Sequence, residues 1–358
     1  MNDLSVLEPS AAGPPPGAEG SVSIRSTQTF REALMSARAL PIAVATMLLF
    51  LVSPAVASGS LSESSLLSTL PFAAILAVAA IGQTLVVQQG GFDLSVAGAI
   101  SLSAAIVTQV PNGQDDRLLM ALAVAVGVIT LAGTVVGLCI RYLDVSPIVA
   151  TLALNALFLG AVQQLTQGSP QNAPQSLTSF ALGRTLGVPN TALVAVVVVA
   201  GVAFVGSRTI AGRRFNAVGS SARAARIAGI RQDRYLVATY ALAAFTYAVA
   251  GLLVAGFLKT PNLYVGNPYL LTTVAAVVIG GTALTGGTGT VVGTAVGALF
   301  LCQLEALLFA SGSGTAIRYV IEGAIVALGV GLRLLPWRQV VKLLPAPSER
   351  RAKEGDTE

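Results

Sequence analysis

The sequence predicts an all-α polytopic membrane protein with about ten transmembrane or half-membrane helices. Three observations carry that fold class. Hydrophobic residues make up 54% of the 358-residue chain and charged residues only 10%, against about 25% charged in a soluble domain. The mean hydropathy is +0.77. Apolar runs recur at close to the length a helix needs to cross a bilayer, about 20 residues.

Composition also removes several chemistries. With no histidine, imidazole proton relays, triads and metal sites are excluded. Cys139 and Cys302 lie far apart inside apolar runs and read as small core residues. No G-x-x-x-x-G-K-[ST] occurs, so ATP, if it drives this protein, is bound by another chain. The net charge of +5 matters through its distribution and is not a nucleic-acid signal.

In chain order, residues 1–39 open with a polar stretch rich in Pro, Gly and Ser, expected to be a disordered tail. The apolar run from Leu40 is too long and starts too late for a cleaved signal core, so it is expected to stay as an anchor. The predicted segments are 40–57, 66–89, 94–110, 118–142, 146–166, 190–207, 235–258, 269–283, 287–310 and 316–335. The run 269–283 is only marginally long enough and ends in Gly280-Gly281, the pattern of a half-helix or re-entrant segment. Residues 337–358 form a polar C-terminal tail, which leaves 40–336 as the membrane domain.

Orientation follows the basic residues. The N-terminal tail, the loop 208–234 and the C-terminal region from Arg333 together hold 16 of the 21 Lys and Arg. All three are expected on the cytoplasmic side. The even numbers of segments between them agree, and the loop 167–189, with Arg184 alone, is expected outside.

The least ordinary stretch is Gly82 to Ser103, where Gln83, Gln88, Gln89, Gly90-Gly91 and Asp93 interrupt two apolar runs. Broken, polar backbone inside a membrane is costly and marks function. Asp93 is placed to cap a helix starting near Leu94, which we weigh above a direct solute contact. Residues 277–300 echo residues 79–102: an apolar run, a Gly-Thr patch, a Gly-Gly pair and a small-residue helix. The echo suggests an internal duplication whose two copies enter the membrane from the same side. Gly289, Gly293 and Gly297 form a G-x-x-x-G-x-x-x-G series suited to close helix approach.

In the basic loop, Gly219 to Ile230 has helical spacing, with Ala222, Ala225 and Gly229 near one face. Such a small-residue face suits docking on a soluble partner. The plainer reading is a loop that obeys the positive-inside rule.

Several of these motifs resemble one family. GRRFNAVGSSARAARIAGI (212–230) is similar to the coupling segment of permease subunits of bacterial ABC importers, whose signature is E-A-A-x-x-x-G. Ala224, Ala225 and Gly229 fit it, and Arg223 stands where the family has Glu. GGFDLSVAGAISLSA (90–104), SPIVATLALNALFLG (146–160) with TQGSP (166–170), and AAVVIGGTALTGGTGTVVGTAVGALF (275–300) resemble ribose-type monosaccharide permeases in the same order along the chain. The resemblance implies that Gly212, Arg213, Gly219, Arg223, Ala224, Ala225 and Gly229 form a coupling element seated on a cytoplasmic ATP-binding subunit. It further implies a second permease copy, an extracytoplasmic solute-binding protein, a lipid-embedded site in the bacterial inner membrane, and no cofactor bound by this chain.

Polar residues that suit a translocation path are Gln83, Thr84, Gln88, Asn155, Gln163 and Gln164. Amides and hydroxyls serve a sugar, which needs donors and acceptors but no charge neutralisation. Hydrogen bonding between helices, worth about 0.6 kcal/mol per contact, competes with that reading at each position. Glu305 lies within an apolar run and is expected to face a partner or a water-filled path, while Arg318 and Glu322 are spaced to pair on one helical face. The expected function is a non-enzymatic permease subunit that imports a monosaccharide or related polar solute by alternating access. A branched-chain amino acid or nucleoside permease, or an ion-coupled secondary transporter, remains the alternative.

Overall fold

The computed structural model describes residues 24–314 and, beyond them, residues 316, 317, 320, 321, 323, 324 and 327. Most of the predicted last segment, the Arg318–Glu322 pair and the C-terminal tail lie outside the described residues. Among the described residues the regular elements are helices apart from one two-stranded hairpin. Among the described residues, seven helices are long and apolar enough to cross a membrane.

Helix α1 spans Ile24–Val56 and so extends into the stretch expected to be an unstructured tail. Good helix formers from Glu32 to Met35 account for the extension. The next helices are α2 (Glu63–Gln88), α3 (Val96–Gln109), α4 (Leu118–Tyr142) and α5 (Pro147–Thr166). The loop expected outside holds a short helix, α6 (Gln175–Leu182), and the hairpin of β1 (Arg184–Thr185) and β2 (Val188–Pro189). Leu186 and Gly187 both have positive φ there, the requirement of a tight hairpin turn. Helix α7 (Asn190–Arg208) leads to α8 (Ile210–Ser220) and α9 (Ala222–Ile227), and the chain continues through α10 (Gln232–Leu258), α11 (Tyr269–Ile279) and α12 (Val291–Ala310).

Contacts between helix ends sort them into two groups. At one end Glu63 pairs with Arg184, Gln109 donates to the Ser169 carbonyl, and the Ala173 N–H donates to the Lys259 carbonyl. At the other, Gln89 donates to the Phe215 carbonyl and Arg141 pairs with Asp233. The chain therefore runs back and forth between a basic end, with α8 and α9, and an opposite end with α6 and the hairpin. Crossings joined by short turns alternate in direction, as the apolar runs predict.

The core is built on α2 and α10. From Ala73 to Gln88 every residue of α2 is buried, as befits a helix apolar all round its circumference. At Gly82 the backbones of α2 and α10 approach so closely that a Cβ would strike Thr246, Tyr247 and the Ala243 carbonyl. Small residues set helix association in lipid, where neighbouring apolar chains offer no hydrophobic drive.

Two crossings are short. Helix α3 has 14 residues, all but the last buried. Helix α11 has 11 residues, about 16 Å long and roughly half of the hydrocarbon thickness. Non-helical chain completes that crossing: the Gly266 N–H donates to Ser101 Oγ, in the middle of α3. The half-helix expectation for this segment thus takes the form of a run of turns over residues 263–268 followed by an 11-residue helix.

Candidate functional site

Two breaks in the helical pattern meet at the basic end. The first follows α2. Gly90 has φ +77°, and its N–H and that of Gly91 donate to the Val87 and Val86 carbonyls. This paired arrangement closes a helix on a left-handed residue, a position glycine fills without a Cβ penalty. The second break follows α11, where Gly281 has φ +102° and the same pair of bonds runs from Gly281 to Val278 and from Thr282 to Val277. The 79–102 and 277–300 segments do sit side by side, but the second helix stops earlier in the aligned pattern. Gly82 is deep within α2 while its counterpart Gly280 already ends α11.

The breaks hold each other. The Gln88 carbonyl, left over at the end of α2, accepts from the Gly287 N–H at 2.8 Å. Thr84 and Thr294 share a hydrogen bond at 2.8 Å between α2 and α12. Thr290 caps α12 by accepting from the Gly293 N–H and donates to the Gly280 carbonyl. The carbonyls of Gln88 and Gly280, left over at helix ends, would otherwise lack these partners in a buried setting.

Asp93 lies at the centre of the first break and is 3% exposed. Its Oδ1 accepts from the Ser95 N–H at 2.9 Å and from Ser95 Oγ at 2.6 Å. The acid closes the turn that enters α3, which begins at Val96 with Ser95 as its N-cap, two residues later than expected. Helix α5 satisfies other amides of the break. Thr151 Oγ1 accepts from the Leu94 N–H at 3.0 Å, and Asn155 Oδ1 accepts from the Gly98 N–H at 2.7 Å. Tyr247 donates to Gln83 Oε1 at 3.0 Å. Gln83, Thr84 and Gln88 are all buried in the chain's own interior. Gln83 and Thr84 make interhelical bonds, to Tyr247 and Thr294, of the kind weighed against a path role.

The basic loop reaches the same place. Gly219 abuts the Gln88 carbonyl, leaving no room for a Cβ, and Ser220 Oγ donates to the Gly287 carbonyl at 3.3 Å. Helix α9 starts on Ser221, whose hydroxyl accepts from the Ala224 N–H, and ends on Gly229 at φ +76° with the same closing bonds as the two breaks. Gly219 and Ser220 belong to α8, so the expected single helix from 219 to 230 is split at Ser221. Ala225 is buried at 3%. Its face is covered by this chain, and the surface α9 offers outward is Ala222, Arg223, Ala224, Arg226 and Ile227. This corrects the expectation that Ala225 presents a small-residue docking face. Gly212 packs against Val205 and Gly206, and Arg213 is exposed.

A cavity of about 390 Å³ opens under the first break, bordered by Gly90, Gly91, Tyr240, Ser146, Arg141 and Ala222. The structure thus brings Gln83, Thr84, Gln88, Gly90, Gly91, Asp93, Asn155 and Gly219 together. Glu305 is not among them; it sits on an exposed face of α12, about a turn and a half from the opposite end. Gln163 also lies at that end, near Tyr264. Sequence reasoning missed Thr151, Ser220, Tyr247 and Thr294. Thr151 was within reach of it, since it precedes Asn155 by one helical turn and so shares its face.

The family model described as branched-chain amino acid transport system / permease component matches residues 65–329. The chain is 29% identical over 292 residues to the ribose import permease protein RbsC of Escherichia coli (strain K12), covering 80% of this chain and 91% of that one. It is 32% identical to the ribose import permease protein RbsC of Bacillus subtilis (strain 168), over 75% of this chain and 84% of that one. It is 32% identical to the fructose import permease protein FruF of Bifidobacterium longum (strain NCC 2705), over 65% and 67% of the two chains. No solved structure matches. With its glycine-closed breaks in place and the family model covering most of its length, the chain belongs to the branched-chain amino acid transport system / permease component family, as a permease of the ribose type.

Proposed function

We propose that this permease imports a monosaccharide or closely related polyol by alternating access. In this proposal it works as one of two membrane subunits, with ATP hydrolysed on separate cytoplasmic chains and solute delivered by an extracytoplasmic binding protein. The basic end, with α8 and α9, faces the cytoplasm, and both termini lie on that side. Relatives named for ribose and fructose import support the solute class. The observation that carries the mechanism is the contact of α8 with both breaks, through Gly219 on the Gln88 carbonyl and Ser220 on Gly287. Movement imposed on α8 and α9 by a nucleotide-driven partner would reach α2, α3 and α12 without any intervening element. Asp93 then acts as a fixed turn in the moving part and not as a solute ligand.

The test is reconstitution of the permease with its ATPase in liposomes, with the solute-binding protein supplied loaded or empty. Solute-loaded binding protein is expected to stimulate ATP hydrolysis and drive uptake of a pentose or hexose. Uptake that persists without the ATPase and collapses with the proton gradient would instead indicate ion coupling. Stimulation by leucine-type amino acids and not by sugars would overturn the solute assignment.

A further inference from the structure

Away from the breaks, the basic end carries a second cavity, of about 470 Å³, walled by Arg214 of α8, Arg231 and Arg234 at the start of α10, Tyr235, and residues 228–230. All three arginines are exposed, and none pairs with a carboxylate among the described residues. Above Arg234, the same face of α10 continues with Ala238, Leu242 and Phe245, spaced at helical intervals and exposed. Leu242 is 53% exposed and Phe245 40%. A concentrated positive pocket thus stands at the foot of an apolar stripe on a membrane-crossing helix, with a tyrosine at the junction.

We propose that this pocket binds the headgroup of an anionic phospholipid, with its acyl chains lying along Ala238, Leu242 and Phe245. The phosphate supplies the charge the arginines lack, since guanidinium groups bind phosphate oxygens through forked N–H donors. The stripe supplies the apolar surface that distinguishes a lipid from a soluble anion. Basic pockets between helices on the cytoplasmic side hold lipid headgroups in this manner. A lipid seated here would touch Ala228, Gly229 and Ile230, the exit of α9, and so would bear on the proposed coupling element. The inference rests on α10 crossing a membrane and does not depend on the solute.

The experiment is native mass spectrometry of the delipidated full-length permease. It is titrated with palmitoyl-oleoyl phosphatidylglycerol, with phosphatidylcholine of the same chains, and with inorganic phosphate as competitor. Phosphatidylglycerol is expected to be retained in preference to phosphatidylcholine, with about a fivefold loss for each of Arg214→Gln, Arg231→Gln and Arg234→Gln. Arg184→Gln, at the opposite end, is expected to leave the preference unchanged, and Leu242→Ala to weaken retention. Equal retention of the two lipids by the unaltered protein would overturn the proposal without reliance on any variant. So would displacement of phosphatidylglycerol by millimolar phosphate with Leu242→Ala silent, which would indicate a free-phosphate site. Lipid found on the monomer but never on a dimer would also overturn it, by showing that a second copy covers this face of α10.

Discussion

Asn155 shows what a single polar side chain does in this interior. Its Oδ1 is the partner of the Gly98 N–H, one of the first amides of α3, which no intrahelical carbonyl satisfies. Asn155→Ala is expected to lower stability by about 1–3 kcal/mol, the cost of an unsatisfied buried donor. Asn155→Asp, which keeps an acceptor, should lose less; thermal unfolding in detergent reads both. Gly229 is held at φ +76° with open space around its Cβ position, so Gly229→Ala tests backbone strain free of any clash. A loss of about 1 kcal/mol is expected in the same assay. The sequence marks Asn155 as a polar residue in an apolar run, but it cannot show the partner, which lies 57 residues away in the chain.

At the scale of elements, α9 is anchored by Ala225 and not by the residues around it. Leucine at Ala225 would have to enter a filled contact, a change that costs about 1–3 kcal/mol. Leucine at Ala224 would meet solvent. Ala225→Leu is therefore expected to speed trypsin cleavage within residues 221–231 several-fold, and Ala224→Leu to leave it unchanged. The apolar runs predict the long helices well, because a helix that crosses a membrane must be long and apolar whatever it packs against. They predict poorly where tertiary contacts decide. Helix α6 is short and takes its place from tertiary contacts, among them Leu177 and Ala181 packed against Gly256 of α10 and the Ser176 N–H donating to Asp115. The start of α3 shifts from Leu94 to Val96 because Asp93, Ser95 and Thr151 consume the intervening amides in a turn. The direction of Ala225 was illegible too, since helical spacing defines a face but not what covers it.

Across the whole molecule, the two glycine-closed breaks and the α8–α9 element form one contiguous polar cluster at the basic end. Their sequence likeness predicted that they enter from the same side, and they meet. The hydrogen bonds that join them, from Gly287 to Gln88 and from Thr84 to Thr294, are visible only in three dimensions. In the proposed mechanism this cluster passes motion from the cytoplasmic partner to the membrane helices. Gly219 is where α8 bears on the first break, and any Cβ there meets the Gln88 carbonyl. The most direct test is the amount of solute taken up per ATP hydrolysed in liposomes holding the reconstituted importer, compared between the unaltered permease and Gly219→Ala. The account predicts that the variant assembles with its ATPase and hydrolyses ATP, while uptake per ATP falls several-fold. An unchanged ratio, with the variant as stable and as active as the parent, would contradict it.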